Sequence, residues 1–248
     1  GISIKLAAWT VKPVEWAWQQ QRQFVSDASH ELKTPLAAIR LLTDSILQTD
    51  NMDMETVRDF VTDIGSEAER LSRITEDLLR LTRLDSDLLD APETVEVAPV
   101  LEQVMRMMSL LAQEKGTELT YRMEENCRVS ATKGEVHQVI YNLVDNAVKY
   151  SGKNGKVRVE LRHEDHDVVL TVADNGPGIP EEDLPKVFER FYRVDKARSR
   201  AAGGTGLGLS IVQDTVKKRG GMVSAANRPN GGAVFTVRWP EAEGGDHS

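Results

Sequence analysis

The sequence predicts two parts, a helical hairpin followed by an α/β sandwich whose helices lie on one face of a mixed sheet. Three observations support this prediction. Residues 14–87 contain a single proline, Pro35, and their apolar residues are spaced by three and four, as in long helices. The tripeptide Asp90-Ala91-Pro92 then breaks the pattern. Beyond it, helical spacing and short alternating strands follow one another, and 248 residues suffice for two domains.

The helical part consists of two amphipathic segments joined by a short polar stretch, residues 49–53. Helices joined by so short a connection pack antiparallel as a hairpin. A single hairpin cannot cover both apolar stripes, so we expect two copies to form a four-helix bundle, that is, a homodimer. The stripes comprise Phe24, Ala28, Leu32, Leu36, Ile39, Leu42 and Ile46, then Val57, Val61, Ile64, Ala68, Leu71, Leu78 and Leu81, with Thr75 in the one polar slot.

The second part alternates between the two periodicities. Thr132 and Glu135 form a capping-box pattern, which predicts that a helix begins there and runs to about Tyr150. The other expected elements are helices at 100–114, 181–192 and 207–219, strands at 118–123 and 127–131, and hairpins at 156–173 and 222–239. The expected organisation is a linker at 1–15, the helical domain at 16–88, the sandwich at 93–240 and a disordered tail at 241–248, with a hinge between Asp85 and Glu93.

Composition excludes several classes of protein. The formal charge of −8 and pI of about 5.3 argue against nucleic-acid binding, which needs a basic face. One cysteine, Cys127, allows neither an intramolecular disulfide nor a cysteine-based zinc site, which suits a reducing compartment. No apolar run approaches the ~18 residues of a membrane-spanning helix.

The first motif that carries chemistry is Ser29-His30-Glu31-Leu32-Lys33-Thr34-Pro35. A single histidine on a helix is most often a surface residue, but its neighbours favour a reactive one. Glu31 can orient or deprotonate the imidazole, and Thr34 lies four residues on, on the same helical face. Pro35 leaves the carbonyl of Glu31 without its helical donor, so the helix can bend there. A neutral imidazole is a good nucleophile near neutral pH.

The second motif is the stretch from Asn142 to Tyr150. Asn142 and Asn146 are four residues apart and project from one helical face, with Lys149 three residues further on. Amide oxygens suit Mg²⁺, which takes few protein ligands and bridges phosphates. Taken alone, the pair is more simply two surface asparagines.

The third motif, Asp174-Asn175-Gly176-Pro177-Gly178-Ile179, directly follows an apolar strand. A carboxylate at a strand end accepts hydrogen bonds only, so it favours the amino group of adenine over the carbonyl of guanine. The two glycines leave room for a flat ligand. A plain turn is the alternative interpretation.

The fourth motif runs from Gly203 to Ser210 and opens a helix. Backbone N–H groups at a helix N-terminus bind phosphate, and glycines allow close approach. The pattern fits neither a P-loop nor a dinucleotide-binding fingerprint, because no Gly-Lys-Ser/Thr follows and no strand directly precedes it. Upstream, Phe188 and Phe191 are typical of a core, and Arg193 lies within reach of a γ-phosphate when the following loop closes.

Five elements follow one another along the chain: the histidine motif, the asparagine pair, the Asp174 motif, the phenylalanine pair and the glycine motif. In this order they resemble the sensor histidine kinases of two-component signalling, over about 16–240. The resemblance implies that His30 accepts the phosphoryl group, Glu31 is its acid/base partner, and Thr34 positions water for dephosphorylation. It implies that Asn146 binds Mg²⁺, that Asn142 and Lys149 lie near the phosphates, that Tyr150 packs on adenine, and that Asp174 reads it. It also implies an ATP lid at 195–205. The remaining implied nucleotide contacts are Gly176, Gly178, Ile179, Arg193, Gly204, Thr205, Gly206, Leu207 and Gly208.

The resemblance implies an ATP-dependent protein-histidine kinase that passes its phosphoryl group to an aspartate of a response regulator and also dephosphorylates it. Such kinases are the cytoplasmic portions of inner-membrane or plasma-membrane sensors in bacteria. Gly1 is not a natural start, so we expect an upstream input domain and membrane segment, with Trp9, Trp16 and Trp18 near the interface. The alternative is an ATPase or conformational clamp of the wider superfamily. A clamp needs a general-base glutamate, and Asn142 occupies the expected helix position.

Overall fold

The computed structural model describes residues 2–85, 90–195 and 203–242, with side chains from residue 18 onward except residue 20. Parts of four expected segments lie outside the described residues: the side chains of the linker, most of the lid, part of the hinge and most of the tail. The chain divides into two compact units, Gly1–Leu79 and Arg80–Ser248. No described helix combines the length and the apolar character that crossing a bilayer requires.

The hairpin consists of α1, Ile2–Gln48, and α2, Met54–Asp85, as the sequence predicts. Asn51 turns the chain between them with a left-handed φ of 64°. Asp53 caps α2 because its carboxylate accepts hydrogen bonds from the Thr56 backbone N–H, at 2.9 Å, and from the Thr56 hydroxyl, at 2.7 Å. These hydrogen bonds lower the pKa of Asp53. This cap fixes the residue at which α2 begins.

The apolar faces of the hairpin are only partly covered within one chain. Ala28 and Ile74 are buried, whereas Val61 and Ala68, which the heptad pattern also assigns to the stripe, are exposed. Thr75, the expected polar slot, is exposed because the neighbouring Ile74 takes the inward position. Several large apolar side chains of the hairpin are more than half exposed: Val25, Leu36, Leu41, Leu47, Met54, Val61 and Leu79.

The second unit is built on a mixed five-stranded sheet. Its helices and strands are β1 (Glu93–Glu96), α3 (Val97–Glu114), β2 (Glu118–Met123), β3 (Arg128–Ala131), α4 (Lys133–Tyr150), β4 (Lys156–Glu164), β5 (Asp167–Asp174), α5 (Gly208–Lys218), β6 (Met222–Asn227) and β7 (Ala233–Pro240). The strand order of the large sheet is β2-β4-β5-β7-β6, in which β2 and β4 are parallel and the other pairs antiparallel. A separate antiparallel pair joins β1 to β3. The helices α3, α4 and α5 pack on one face of the large sheet, as predicted.

The core of this unit lies between the sheet and its helices. Strand residues alternate between the core and the outer face, so Val159, Val172 and Phe235 stand side by side across three strands. Leu143 of α4 is fully buried. Cys127 is a buried free thiol whose pKa burial raises to about 11, so it is protonated and unreactive at neutral pH.

The capping box at α4 is confirmed. The Thr132 hydroxyl accepts a hydrogen bond from the Glu135 backbone N–H at 3.2 Å, and Glu135 accepts one from the Thr132 N–H at 2.8 Å. Glu135 also pairs with Arg219 at 2.8 Å, which ties the start of α4 to the end of α5.

Two sequence expectations are wrong in detail. The helix expected at 181–192 is a short 3-10 helix, Leu184–Lys186, flanked by turns. Pro185 lacks a backbone N–H, and Phe191 adopts a φ of 63°, so a continuous α-helix cannot form. Strand β1 was not expected, because its sequence, Glu-Thr-Val-Glu, is too short and polar to stand out.

Candidate functional site

Asp174 lies at the end of β5, and 5% of its surface is exposed. Its Oδ1 accepts hydrogen bonds from the backbone N–H groups of Gly176, at 2.7 Å, and Ala233, at 3.3 Å. No described residue donates to Oδ2, which leaves one carboxylate oxygen for a ligand. Burial raises the pKa of this carboxyl, against the opposing effect of the two N–H donors.

The glycines beside Asp174 allow backbone segments to approach one another closely. A Cβ on Gly176 would lie 2.4 Å from the carbonyl oxygen of Tyr150, so this glycine packs against the end of α4. A Cβ on Gly232 would lie 2.0 Å from the carbonyl oxygen of Asp174. Gly178 has a φ of 75°, a left-handed conformation that favours glycine. Side chains at these positions would displace the Asp174 loop.

Two residues that the sequence analysis missed fix this loop. The Asn227 side chain accepts a hydrogen bond from the Ile179 N–H at 2.8 Å and donates one to the Ile179 carbonyl at 2.6 Å. Arg228 donates to the Asp174 carbonyl at 2.7 Å. Asn227 ends β6 and Arg228 follows it, about fifty residues away, and no local pattern marks them. The only available signal was the turn 229–232, which we interpreted as a plain hairpin.

The glycine loop meets α4 through Asn142. Its Nδ2 donates to the Gly208 carbonyl at 3.0 Å, while its Oδ1 accepts a hydrogen bond from Gln138 at 2.9 Å. Both polar atoms of the Asn142 amide are therefore engaged within the protein. Asn142 holds the start of α5 against the middle of α4, and in this arrangement it positions the loop rather than presenting its oxygen to an ion.

Thr205 and Arg193 shape the other side of the glycine loop. The buried Thr205 hydroxyl accepts a hydrogen bond from the Leu207 N–H at 3.2 Å. The Arg193 guanidinium donates to the Thr205 carbonyl at 2.7 Å, so it holds the loop backbone in this structure. Gly206 has a φ of 74°, and its carbonyl accepts a hydrogen bond from the Phe191 N–H at 2.8 Å. Gly204 is half-buried in the same loop.

Other predicted side chains lie along α4. Asn146 is half-buried, and no described residue bonds its side chain, so its amide oxygen suits a metal or phosphate-bound ligand. Lys149 instead pairs with Asp145, with 2.6 Å between Nζ and Oδ2. Tyr150 is half-buried at the end of the helix. Phe188 packs edge-on against Phe235 at 6.3 Å between ring centroids, which confirms its place in the core.

The residue cluster fits a nucleotide. The buried Asp174 carboxylate, with one oxygen that no described residue engages, suits the amino group of adenine. The Asn146 amide, which no described residue bonds, suits a hard cation.

The histidine motif lies in the hairpin unit. The side chain of His30 is exposed on α1, as an acceptor for a phosphoryl group must be. Thr34 is also exposed, and its hydroxyl donates to the His30 carbonyl at 3.2 Å. Pro35 is buried. Glu31 turns toward α2, where its Oε2 lies 3.1 Å from Nη2 of Arg70.

The final residues of α2 belong to the second unit and are anchored there by cations. Arg190 bonds both carboxylate oxygens of Asp85, at 3.0 and 2.8 Å, and also Asp214 of α5 at 3.0 Å. These two carboxylates raise the pKa of Arg190, Asp85 being the stronger. Lys218 donates to the Leu84 carbonyl at 2.6 Å. The division between units thus precedes the expected hinge.

Comparison with known proteins identifies the family. Residues 20–87 match the His Kinase A (phospho-acceptor) domain, and residues 131–243 match the histidine kinase-, DNA gyrase B- and HSP90-like ATPase family. The catalytic domain of the histidine kinase ThkA is 30% identical, with a TM-score of 0.53, over 60% of this chain and 96% of that domain. This chain is a member of the sensor histidine kinase family.

The curated relatives agree. The sensor-like histidine kinase SenX3 of Mycolicibacterium smegmatis is 36% identical over 222 residues, 89% of this chain and 58% of SenX3. The histidine-protein kinase ArlS of Staphylococcus aureus is 35% identical over 90% of this chain and 50% of ArlS. The chain spans about half the length of the curated relatives it matches. A structure of ThkA with the response regulator protein TrrA shares the fold, with a TM-score of 0.71 at 24% identity, over 89% of this chain and 61% of that one.

Proposed function

We propose that this histidine kinase phosphorylates His30 with ATP and passes the phosphoryl group to an aspartate of a response regulator. The observation that carries the proposal is that one chain pairs an exposed histidine, in a phospho-acceptor domain, with a separate nucleotide site built around a buried carboxylate. Neither unit performs the reaction alone, because one holds the acceptor and the other the donor.

ATP is the expected donor because of Asp174. Its carboxylate Oδ2 can accept a hydrogen bond from the adenine amino group, whereas guanine offers a carbonyl oxygen there. Tyr150 and Ile179 would supply apolar contact for the base. The remaining proposed nucleotide contacts are Gly176, Gly178, Gly204, Thr205, Gly206, Leu207 and Gly208.

Mg²⁺ would be held by Asn146 and by the nucleotide phosphates, and it supplies charge neutralisation during transfer. Lys149 would act beside it once it leaves Asp145. Arg193 would orient the loop and reach the terminal phosphate when the lid closes. Asn142 is assigned a positioning role, since its amide already bonds Gly208. The lid would exclude water, so that the imidazole is the nucleophile.

Transfer needs an in-line approach of a neutral imidazole to the γ-phosphorus. One ring nitrogen of His30 forms the new bond to phosphorus, and the bond to the bridging oxygen breaks, which releases ADP. Glu31 accepts the proton of the other ring nitrogen, which leaves a phosphohistidine whose imidazole ring is uncharged. Catalysis is mainly positioning and charge neutralisation.

The proposed partners follow from the two units. The exposed apolar side chains of the hairpin favour a homodimer with a four-helix bundle. A response regulator is the proposed acceptor, and TrrA bound to ThkA provides the precedent. Membrane attachment through an upstream segment remains part of the proposal, with this chain as the cytoplasmic portion of the sensor.

An ATPase clamp is not favoured, because the relatives are kinases and Asn142 replaces the general-base glutamate such a clamp needs.

The test is labelling with ATP that carries radioactive phosphorus at the γ position. We expect a label that acid removes and alkali does not, and we expect His30→Gln to abolish it while nucleotide binding is retained. His166→Gln, which changes an exposed histidine of the second unit, is the matched control and should label normally. A labelled His30→Gln protein would falsify the proposal.

A second proposed activity is dephosphorylation of the regulator, because Thr34 is exposed one turn beyond His30. Thr34→Ala should lower the rate of phosphate release from a phosphorylated regulator at least about tenfold, with autophosphorylation changed less than twofold. Equal losses in both rates would remove the proposed water-positioning role.

A further inference from the structure

Arg70 is an unusual residue for the middle of α2. Only 6% of its side chain is exposed, although arginine is almost never buried without partners. Arg73, one turn further on, is 46% exposed at its side chain and pairs with Glu69 at 3.9 Å, as a surface arginine does. The burial of Arg70 therefore requires a specific counter-charge.

The contacts of Arg70 single out Glu31. Nη2 donates to Glu31 Oε2 at 3.1 Å, whereas Nη1 lies 3.6 Å from Glu67 Oε2, beyond a hydrogen bond. Among the residues that the structure describes, neither Nε of Arg70 nor Oε2 of Glu67 has a hydrogen-bond partner. The strongest contact of this buried cation is thus a bond across the hairpin to the residue that follows His30.

That contact constrains the orientation of the Glu31 side chain. Successive residues on a helix point about 100° apart, so Glu31 does not face His30 by default. The Glu31 side chain is 21% exposed. A guanidinium that bonds one carboxylate oxygen reduces the rotamer freedom of the Glu31 side chain.

We propose that Arg70 is a positioning residue for phosphoryl transfer: its hydrogen bond to Glu31 fixes the carboxylate that takes the imidazole proton of His30. The inference rests on the proposed function, since Glu31 needs this placement only if His30 is the acceptor. In the transfer step, Arg70 itself forms and breaks no covalent bond. It keeps its proton, while the proton of the imidazole passes to Glu31.

The test compares Arg70→Gln with Arg73→Gln, an exposed arginine on the same helix. We expect Arg70→Gln to lower the autophosphorylation rate at saturating ATP about tenfold or more, with the KM for ATP within twofold. Arg73→Gln should leave both unchanged. Arg70→Lys, which keeps the charge, should recover at least half of the lost rate on a logarithmic scale.

A double-mutant cycle separates positioning from structure. If Arg70 acts through Glu31, then Arg70→Gln should have little further effect in a Glu31→Gln background. An additive loss, an unchanged or raised rate in Arg70→Gln, or an Arg70→Lys rate as low as that of Arg70→Gln would each overturn the inference. Should Arg70→Gln fail to fold, the Arg70→Lys rate and the Glu31→Gln, Arg70→Gln pair, which removes both charges, decide the matter.

Failure of this inference differs from failure of the proposed function. If the unaltered chain forms no acid-labile label, the proposed function fails and Arg70 has nothing to position. If the chain labels His30 and the Arg70 variants match it, the kinase proposal stands and only the role of Arg70 is lost.

Discussion

The two units of this kinase differ in how they bury apolar surface. The catalytic unit encloses a continuous core that runs through its sheet and helices, from Val95 to Trp239. In the hairpin unit, the buried apolar side chains within the described residues are Ala28, Pro35 and Ile74, while Leu41 and Leu47 are 68% and 78% exposed. The difference teaches that the second unit covers its apolar residues by itself, whereas the hairpin leaves large apolar side chains exposed within one chain.

The largest expected effect lies in the core of the catalytic unit. Leu143→Ala removes a fully buried side chain and leaves a cavity, so we expect a loss of about 2–5 kcal/mol in the free energy of unfolding of this unit. Leu110, which is 69% exposed on α3, provides the control, and Leu110→Ala should cost less than about 0.5 kcal/mol. Urea unfolding measures both. Equal losses would mean that the core is placed wrongly.

The next effect concerns the nucleotide site. Asp174→Asn places an amide N–H where the adenine amino group needs an acceptor, so ATP should bind about 100-fold more weakly. Titration calorimetry measures this, with Asp165→Asn, in an exposed turn, as the control. Unchanged affinity would contradict the proposed base recognition.

The same variant changes the pH dependence of stability. Because burial raises the pKa of Asp174, the folded chain binds this proton more tightly than the unfolded chain. This carboxyl therefore lowers stability as the pH rises from its unfolded value of about 3.9 through its raised folded value, and the penalty persists at higher pH. Asp174→Asn should remove that decline from the stability profile, and a profile identical to that of the unaltered chain would contradict the burial argument.

A smaller effect tests the incomplete hairpin. Leu41→Glu places a charge on its exposed apolar face and should raise the dissociation constant of the dimer at least about tenfold, since a buried leucine contributes about 1.5–3 kcal/mol. Leu110→Glu, on an equally exposed leucine of the catalytic unit, should leave the dimer intact. Sedimentation velocity distinguishes the two. If Leu41→Glu left the dissociation constant of the dimer unchanged and Leu110→Glu raised it, the dimer interface would lie on the second unit and not on the hairpin.

The sequence predicted what local rules govern. The Thr132–Glu135 capping box, the strand alternation around Val159 and the turn into Asp174 all depend on neighbouring residues, and the structure contains each of them. Prediction failed where tertiary packing decides the outcome. In α2, Ile74 turns inward in place of the expected heptad position, Thr75. The segment 181–192, expected to be a helix, is mostly turns.

The contacts that complete the sites were also invisible in the sequence. Asn227 bonds Ile179 from 48 residues away, and Arg70 reaches Glu31 across 39 residues. Such pairs depend on tertiary register, which no spacing pattern encodes. The motifs therefore located the chemistry, and the structure supplied the residues that hold it in place.

The most direct test of the account is to locate the phosphoryl group after incubation with ATP and Mg²⁺, by tandem mass spectrometry of peptides prepared at alkaline pH. The account predicts one modified residue, His30, and no modification in the Asp174→Asn variant at limiting ATP. A phosphoryl group on another histidine, or on a serine or threonine that survives acid, would contradict it.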